Sequence, residues 1–180
     1  METLVLLFLV IIFIVLKLLI FGTGDKLARD KKKFAPGIKL CTGREYVRAL
    51  AWFSDAVAAN PESALAWAMR GRCHLACGNL YASLGDLSRA LSLESNLPDA
   101  YLDKGKALYK LEDYDAALLE LDKAVWYFRE NAEAFRFRGK VHLALGQNAR
   151  ARQDFTDAVM RGDEDAAYLM RKMIVNGKQY

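Results

Sequence analysis

A 34-residue period governs most of this chain. Shifted against itself by 34 positions, the sequence aligns Gly71, Gly105 and Gly139. Trp67, Tyr101 and Phe135 form an aromatic column, and Ala56, Ala90, Ala124 and Ala158 a small one. Ala49, Ser83, Ala117 and Ala151 make another, followed four residues later by Phe53, Leu87, Leu121 and Phe155. Small residues recur where helices must approach closely, large apolar ones where they interlock. Such a chain stacks one helical unit on the next. Composition excludes the other classes: with 53% hydrophobic residues, three cysteines and three prolines, it is neither disordered, nor a disulfide scaffold, nor collagen-like.

The columns can be read as motifs. The first helices give Trp67-x2-Arg70-Gly71-x2-His74, Tyr101-x2-Lys104-Gly105-x2-Leu108 and Phe135-x2-Arg138-Gly139-x2-His142. The second give Ala49-x3-Phe53, Ser83-x3-Leu87, Ala117-x3-Leu121 and Ala151-x3-Phe155. This resembles the tetratricopeptide repeat (TPR) family, whose pattern is aromatic-x2-Leu-Gly-x2-Tyr, then Ala-x3-Phe, then Pro. The chain departs from it by a basic residue before each Gly, by His or Leu in the Tyr column, and by keeping the final Pro only as Pro61. The resemblance implies an all-α, right-handed solenoid of about three and a half repeats. They are a partial one over 44–61, then 64–97, 98–131 and 132–162, with a capping helix over 163–176 and a tail over 177–180. Helices are predicted over Arg44–Ala59, Ser63–Cys77, Leu80–Glu94, Pro98–Leu111, Tyr114–Phe128, Ala132–Leu145 and Asn148–Arg161.

Ahead of the repeats, Thr3 to Phe21 is 19 residues with one charge, Lys17. As a helix it is roughly 28 Å long, the thickness of a hydrocarbon core. The sequence therefore predicts a single transmembrane helix within 1–21; a cleaved signal peptide fits worse, because the start is not basic and the apolar run is long. Phe34, Pro36, Gly37 and Gly43 then predict an irregular basic linker over 22–43. From Gly22 to Arg48 eight basic residues face three acidic ones, a net +5; Ala49 to Tyr180 has 17 basic and 18 acidic, a net −1. The chain's +4 is thus local, which removes the case for nucleic acid. Lys26, Arg29, Lys31, Lys32 and Lys33 are expected against anionic lipid headgroups, and they place the repeats on the cytoplasmic side with the amino terminus outside. A bacterial inner membrane is the favoured setting; an organelle outer membrane is the alternative.

In the TPR family the first helix of each pair lines a concave groove that binds peptides. Carried onto this sequence, the groove-facing columns give a basic ladder, Arg72, Lys106 and Lys140, with Arg136 and Lys110 nearby and Met69, Leu102, Tyr109 and Phe137 as apolar anchors. The ladder is either a site for an acidic peptide or C-terminal carboxylate, or a row of solvated helix residues sharing its surface with Asp99, Asp103 and Glu133. The asparagines with which some family members clamp chaperone tails are absent from the matching columns. Cys73 and Cys77 share a helix face but lack a second ligand pair; His74 and His142 are expected to pack as hydrogen-bonded core imidazoles. No motif of catalysis or phosphate binding is present, so no enzyme activity, cofactor, metal or small-molecule substrate is expected. The function implied is a membrane-anchored scaffold or adaptor for assembly or transport of a membrane complex. The alternatives are an organelle-surface import receptor and a structural subunit of a larger membrane complex.

Overall fold

The computed structural model describes the backbone of residues 2–176 and the side chains of residues 6–16 and 26–173. Ten helices are present among these residues. After a long α1 (Glu2–Lys33) and a short α2 (Ala35–Thr42) come α3 (Tyr46–Ala59), α4 (Ala64–Ala76), α5 (Leu80–Leu93), α6 (Pro98–Lys110), α7 (Tyr114–Tyr127), α8 (Ala132–Ala144), α9 (Asn148–Met160) and α10 (Glu164–Asn176). From α3 onward each lies within two residues of its expected span. Gly177, the expected helix stop, and the tail over 177–180 lie outside the described residues.

The turns repeat as strictly as the helices. Arg44, Gly78, Glu112 and Gly146 sit 34 apart, and all four have φ between 61° and 82°. This left-handed residue ends the first helix of each pair. The next amide closes the turn onto a carbonyl five residues back: Glu45 on Leu40, Asn79 on His74, Asp113 on Leu108 and Gln147 on His142, at 2.8–3.1 Å. On the other side of the array, Ser63, Asn131 and Asp163 accept amide hydrogens at helix starts, and Pro98 supplies a first-turn residue that has no N–H and so needs no acceptor.

Inside each pair the glycine column is a packing device. A Cβ on Gly71 would lie 2.8 Å from Leu87, on Gly105 2.5 Å from Leu121, and on Gly139 2.7 Å from Phe155. The basic residue before each glycine also has a partner, 16 residues on. Arg70 grips Asp86 with two hydrogen bonds of 2.7 Å, Lys104 reaches Glu120 at 3.0 Å, and Arg138 reaches Asp154 at 2.7 Å. All three acids are buried, so each needs this partner. His142 is buried, with Nδ1 2.8 Å from Gln147 Oε1, and His74 Nε2 lies 3.8 Å from Asp86.

The segment 22–43 corrects the expected irregular linker. It is helical except at Phe34 and the closing turn at Gly43, because Pro36 interrupts the ladder without ending it. Proline lacks the N–H that would reach back one turn, yet its φ suits a first turn. Phe34 N–H still bonds to Asp30 O at 2.8 Å and Ile38 N–H to Phe34 O at 2.9 Å. The end of α1 together with α2 therefore acts as the first helix of a complete first repeat, paired with α3. Gly37 joins the glycine column one period before Gly71; here Trp52 fills the contact, standing where the later pairs carry the buried acid. The array has four helix pairs and the cap α10, not three and a half.

The apolar run expected to span a membrane lies in α1. Its described side chains, Leu6 to Leu16, are all exposed. Among the described residues no helix is long and apolar enough to cross a membrane; Lys17 and the rest of the run lie outside the described side chains. The last turns of α1 are docked on the repeats. Leu27 packs against the buried cluster of Ala64, Leu87, Ala90, Leu97 and Ala100, Ser63 Oγ donates to Asp30 at 2.6 Å, and Lys26 and Lys33 donate to Glu62 O and Asn60 Oδ1. Of the five basic residues expected on a lipid surface, these two are engaged by the protein itself.

Candidate functional site: the concave groove

The inner faces of α2, α4, α6 and α8 enclose a groove of about 1000 Å³. Its floor is apolar, with Leu65, Met69, Leu102 and Phe137. These sit on first helices one period apart, so the repeat delivers them to one surface. Leu102 and Met69 are nearly closed off; Phe137 is half-buried and meets Tyr109 edge-on at 6.2 Å. Tyr109 packs beside the core outside the groove lining, and burial raises its phenol above the usual range.

Of the basic ladder, Arg72 and Lys106 line the groove and Lys140 does not, and the two in the lining are not free. Arg72 Nε donates to Asp103 at 2.6 Å and its other end lies 3.8 Å from Asp99. Lys106 reaches Glu133 at 2.7 Å and Asp103 at 3.6 Å. Arg136, outside the groove lining, bonds Asp163 at 2.8 Å and approaches Glu133 and Asp165. Lys106–Asp103 and Arg136–Glu133 are pairs within one helix; the others link a repeat to the next repeat or to the cap. Burial opposes the Arg72 charge, but Asp103 and Asp99 outweigh it and hold the guanidinium above its ordinary range. Lys140 is the exception. Arg72 and Lys106 find acids 27 positions on, at Asp99 and Glu133; the corresponding position for Lys140 is Ala167. Its ammonium lies over the Phe137 ring at 4.7 Å, and burial and the Arg136 charge push its pKa down.

Among the described residues, the basic groove residues without an ion pair are a different set: Lys31, Lys39, Arg44 and Lys110, all exposed. Only Lys110 was expected here. Lys39 belongs to the segment read as linker, Arg44 to the start of the expected partial repeat, and Lys31 to the lipid-facing run. The signal that could have found them is Gly37, whose register with Gly71 extends the first-helix column back through α2. With six basic and three acidic lining residues the groove carries a net +3, and all three acids are engaged by Arg72 and Lys106.

Residues 42–100 and 102–168 match the tetratricopeptide repeat family model. A protein SGT1 homolog of Oryza sativa subsp. japonica is 33% identical over 70 residues, covering 39% of this chain and 19% of that protein. The Hsp70-Hsp90 organizing protein 3 of Arabidopsis thaliana is 25% identical over 114 residues, covering 63% of this chain and 20% of that one. The chain thus spans about a fifth of the length of these relatives. Among solved structures, pilF of Pseudomonas aeruginosa superposes with a TM-score of 0.74 at 18% identity, covering 87% of this chain and 72% of that one. The first TPR of Spaghetti (RPAP3), bound to the HSP90 peptide SRMEEVD, gives 0.62 at 18% identity over 65% of this chain and 94% of that one.

Proposed function

The chain belongs to the tetratricopeptide repeat family, and we propose that it is a scaffold that holds an acidic peptide segment in its concave groove while α1 anchors it to a membrane. The observation that carries the groove reading is the rim of unpaired Lys31, Lys39, Arg44 and Lys110 around an apolar floor. Positive charge draws an acidic segment in, and the buried apolar patch gives it anchors. The ladder Arg72–Lys106 sets the spacing of the first helices and leaves ligand contact to the rim.

The test is fluorescence anisotropy of an acidic decapeptide with a free carboxylate against a lysine-rich decapeptide, using the full chain in detergent. The acidic peptide is expected to bind, and Lys39→Glu with Lys110→Glu to weaken it about tenfold, each exposed charge contributing up to about 1 kcal/mol. Equal binding of the two peptides, or indifference to the double reversal, sinks the reading. Reversing Arg72 and Lys106 is a poor test, because it leaves Asp103 buried without a partner.

The anchor rests on the exposed apolar face of α1 from Leu6 to Leu16 and the 19-residue run that contains it. The basic residues after it argue for repeats on the cytoplasmic side, and a bacterial inner membrane suits this arrangement. Protease access to a tag after Tyr180 in sealed membranes decides it: protection in intact cells and digestion in inverted vesicles is the expected result. A second reading, a subunit held through the outer helices, is favoured by Trp126 and Met160, which are 69% and 78% exposed. It predicts that Trp126→Asp releases the chain from its complex while peptide binding is unchanged.

A further inference from the structure

Three cysteines are present, and two that are distant in sequence meet. Cys41 on α2 and Cys73 on α4 are both buried, with their sulfurs 3.1 Å apart. Cys77, one turn on at the C-terminal cap of α4, is exposed. Cys41 also lines the groove, beside Arg72, so a small molecule in the groove reaches Cys41 while Cys73 lies behind it.

We propose that Cys41 and Cys73 form a dithiol site that exchanges with low-molecular-weight disulfides entering the groove, closing to an intramolecular disulfide between the first and second repeats. The Cys41 thiolate attacks one sulfur of the small disulfide, forming a mixed disulfide and releasing one thiolate. Cys73 then attacks the Cys41 sulfur from 3.1 Å; the second small thiolate leaves and takes up the Cys73 proton. Two protein thiols are oxidised, and one small disulfide is reduced to two thiols.

The surroundings assign the order. The hydrogen bond from Cys73 and the nearby Arg72 charge lower the Cys41 pKa, making it the attacking group. Cys73 holds its proton because its hydrogen bond to Cys41 and its burial raise its pKa. Once Cys41 is capped it is neutral, that hold is released, and the second step follows. The sulfurs need to close by about 1 Å to reach bonding distance, a shift within reach of α2, which is short and joined to α1 through the break at Phe34. The site is independent of what peptide the groove binds.

The test uses the reduced full chain in detergent, treated with oxidised glutathione and mapped without reduction by mass spectrometry. Two of the three thiols should be lost with a cross-link joining the Cys41 and Cys73 peptides. Cys77→Ser should leave this unchanged. Cys73→Ser should stop at a glutathione adduct on Cys41, and Cys41→Ser should leave Cys73 unreacted. A circular dichroism spectrum matching the parent qualifies each variant; where one fails it, mapping of the parent chain decides. Reaction at Cys77 alone, a cross-link that includes Cys77, or a cross-link only between two chains overturns the proposal.

Discussion

Ser83 breaks the rule of its own column. The equivalent positions are Ala49, Ala117 and Ala151, all fully buried. Ser83 is equally buried, and its hydroxyl has no hydrogen-bond partner among the described residues. Burying an unmade hydrogen bond costs about 1–3 kcal/mol, so Ser83→Ala is expected to stabilise the chain by about 1 kcal/mol, read as a higher urea midpoint at unchanged slope. The glycine column gives the opposite case. Gly105→Ala places a Cβ 2.5 Å from Leu121, in the middle of a packed helix pair. Overpacking of this kind costs about 1–3 kcal/mol. Helix propensity alone predicts a gain of up to about 1 kcal/mol; the clash is the larger effect, and the midpoint should fall.

At the scale of helices, the ends of the array depend on single side chains. Asp163 caps α10 through the Ala166 amide at 2.8 Å and accepts from Arg136 at the same distance. Arg136→Ala removes the clamp that orients this cap. The amides of α10 should exchange hydrogen about ten times faster, the effect of losing roughly 1–1.5 kcal/mol of local stability, while those of α6 and α7 stay protected. The helices from α3 to α10 were legible in the sequence because a fixed period repeats the same burial pattern. The first repeat was not. Pro36 and Gly43 read as breakers, and the usual basic-acid pair is replaced by Pro36 and Trp52. Recognising it required knowing that Trp52 fills the gap against Gly37. Met69, Leu102 and Phe137 were named as groove anchors only by the resemblance to the family, and they line the groove. The pairing of Arg72 with Asp103 was not legible, since it depends on how one repeat sits on the next.

On the whole-molecule scale, two electrostatic effects oppose each other. The chain carries a net charge of +4, and added salt relieves such self-repulsion. Against it stands the alternating row Arg72, Asp103, Lys106, Glu133, Arg136 and Asp163, whose successive contacts run from 2.6 to 3.7 Å. Interactions at that distance between partly buried groups outweigh a diffuse excess spread over the whole surface. Raising sodium chloride from about 0.05 M to about 1 M, which shortens the screening length from above 10 Å to about 3 Å, is therefore expected to lower the urea midpoint. A raised midpoint would mean that net charge decides.

The union of α1 with the first repeat has a geometric consequence. A flexible tether lets its cargo point anywhere, whereas a helix works as a shaft. Each residue added to α1 between Phe21 and Lys26 advances the groove by about 1.5 Å and turns it by about 100°. For a chain held by α1, the direction in which the groove opens is thus set by helical phase. Four residues inserted there bring the groove mouth back almost to its original heading, and two turn it nearly to the opposite side.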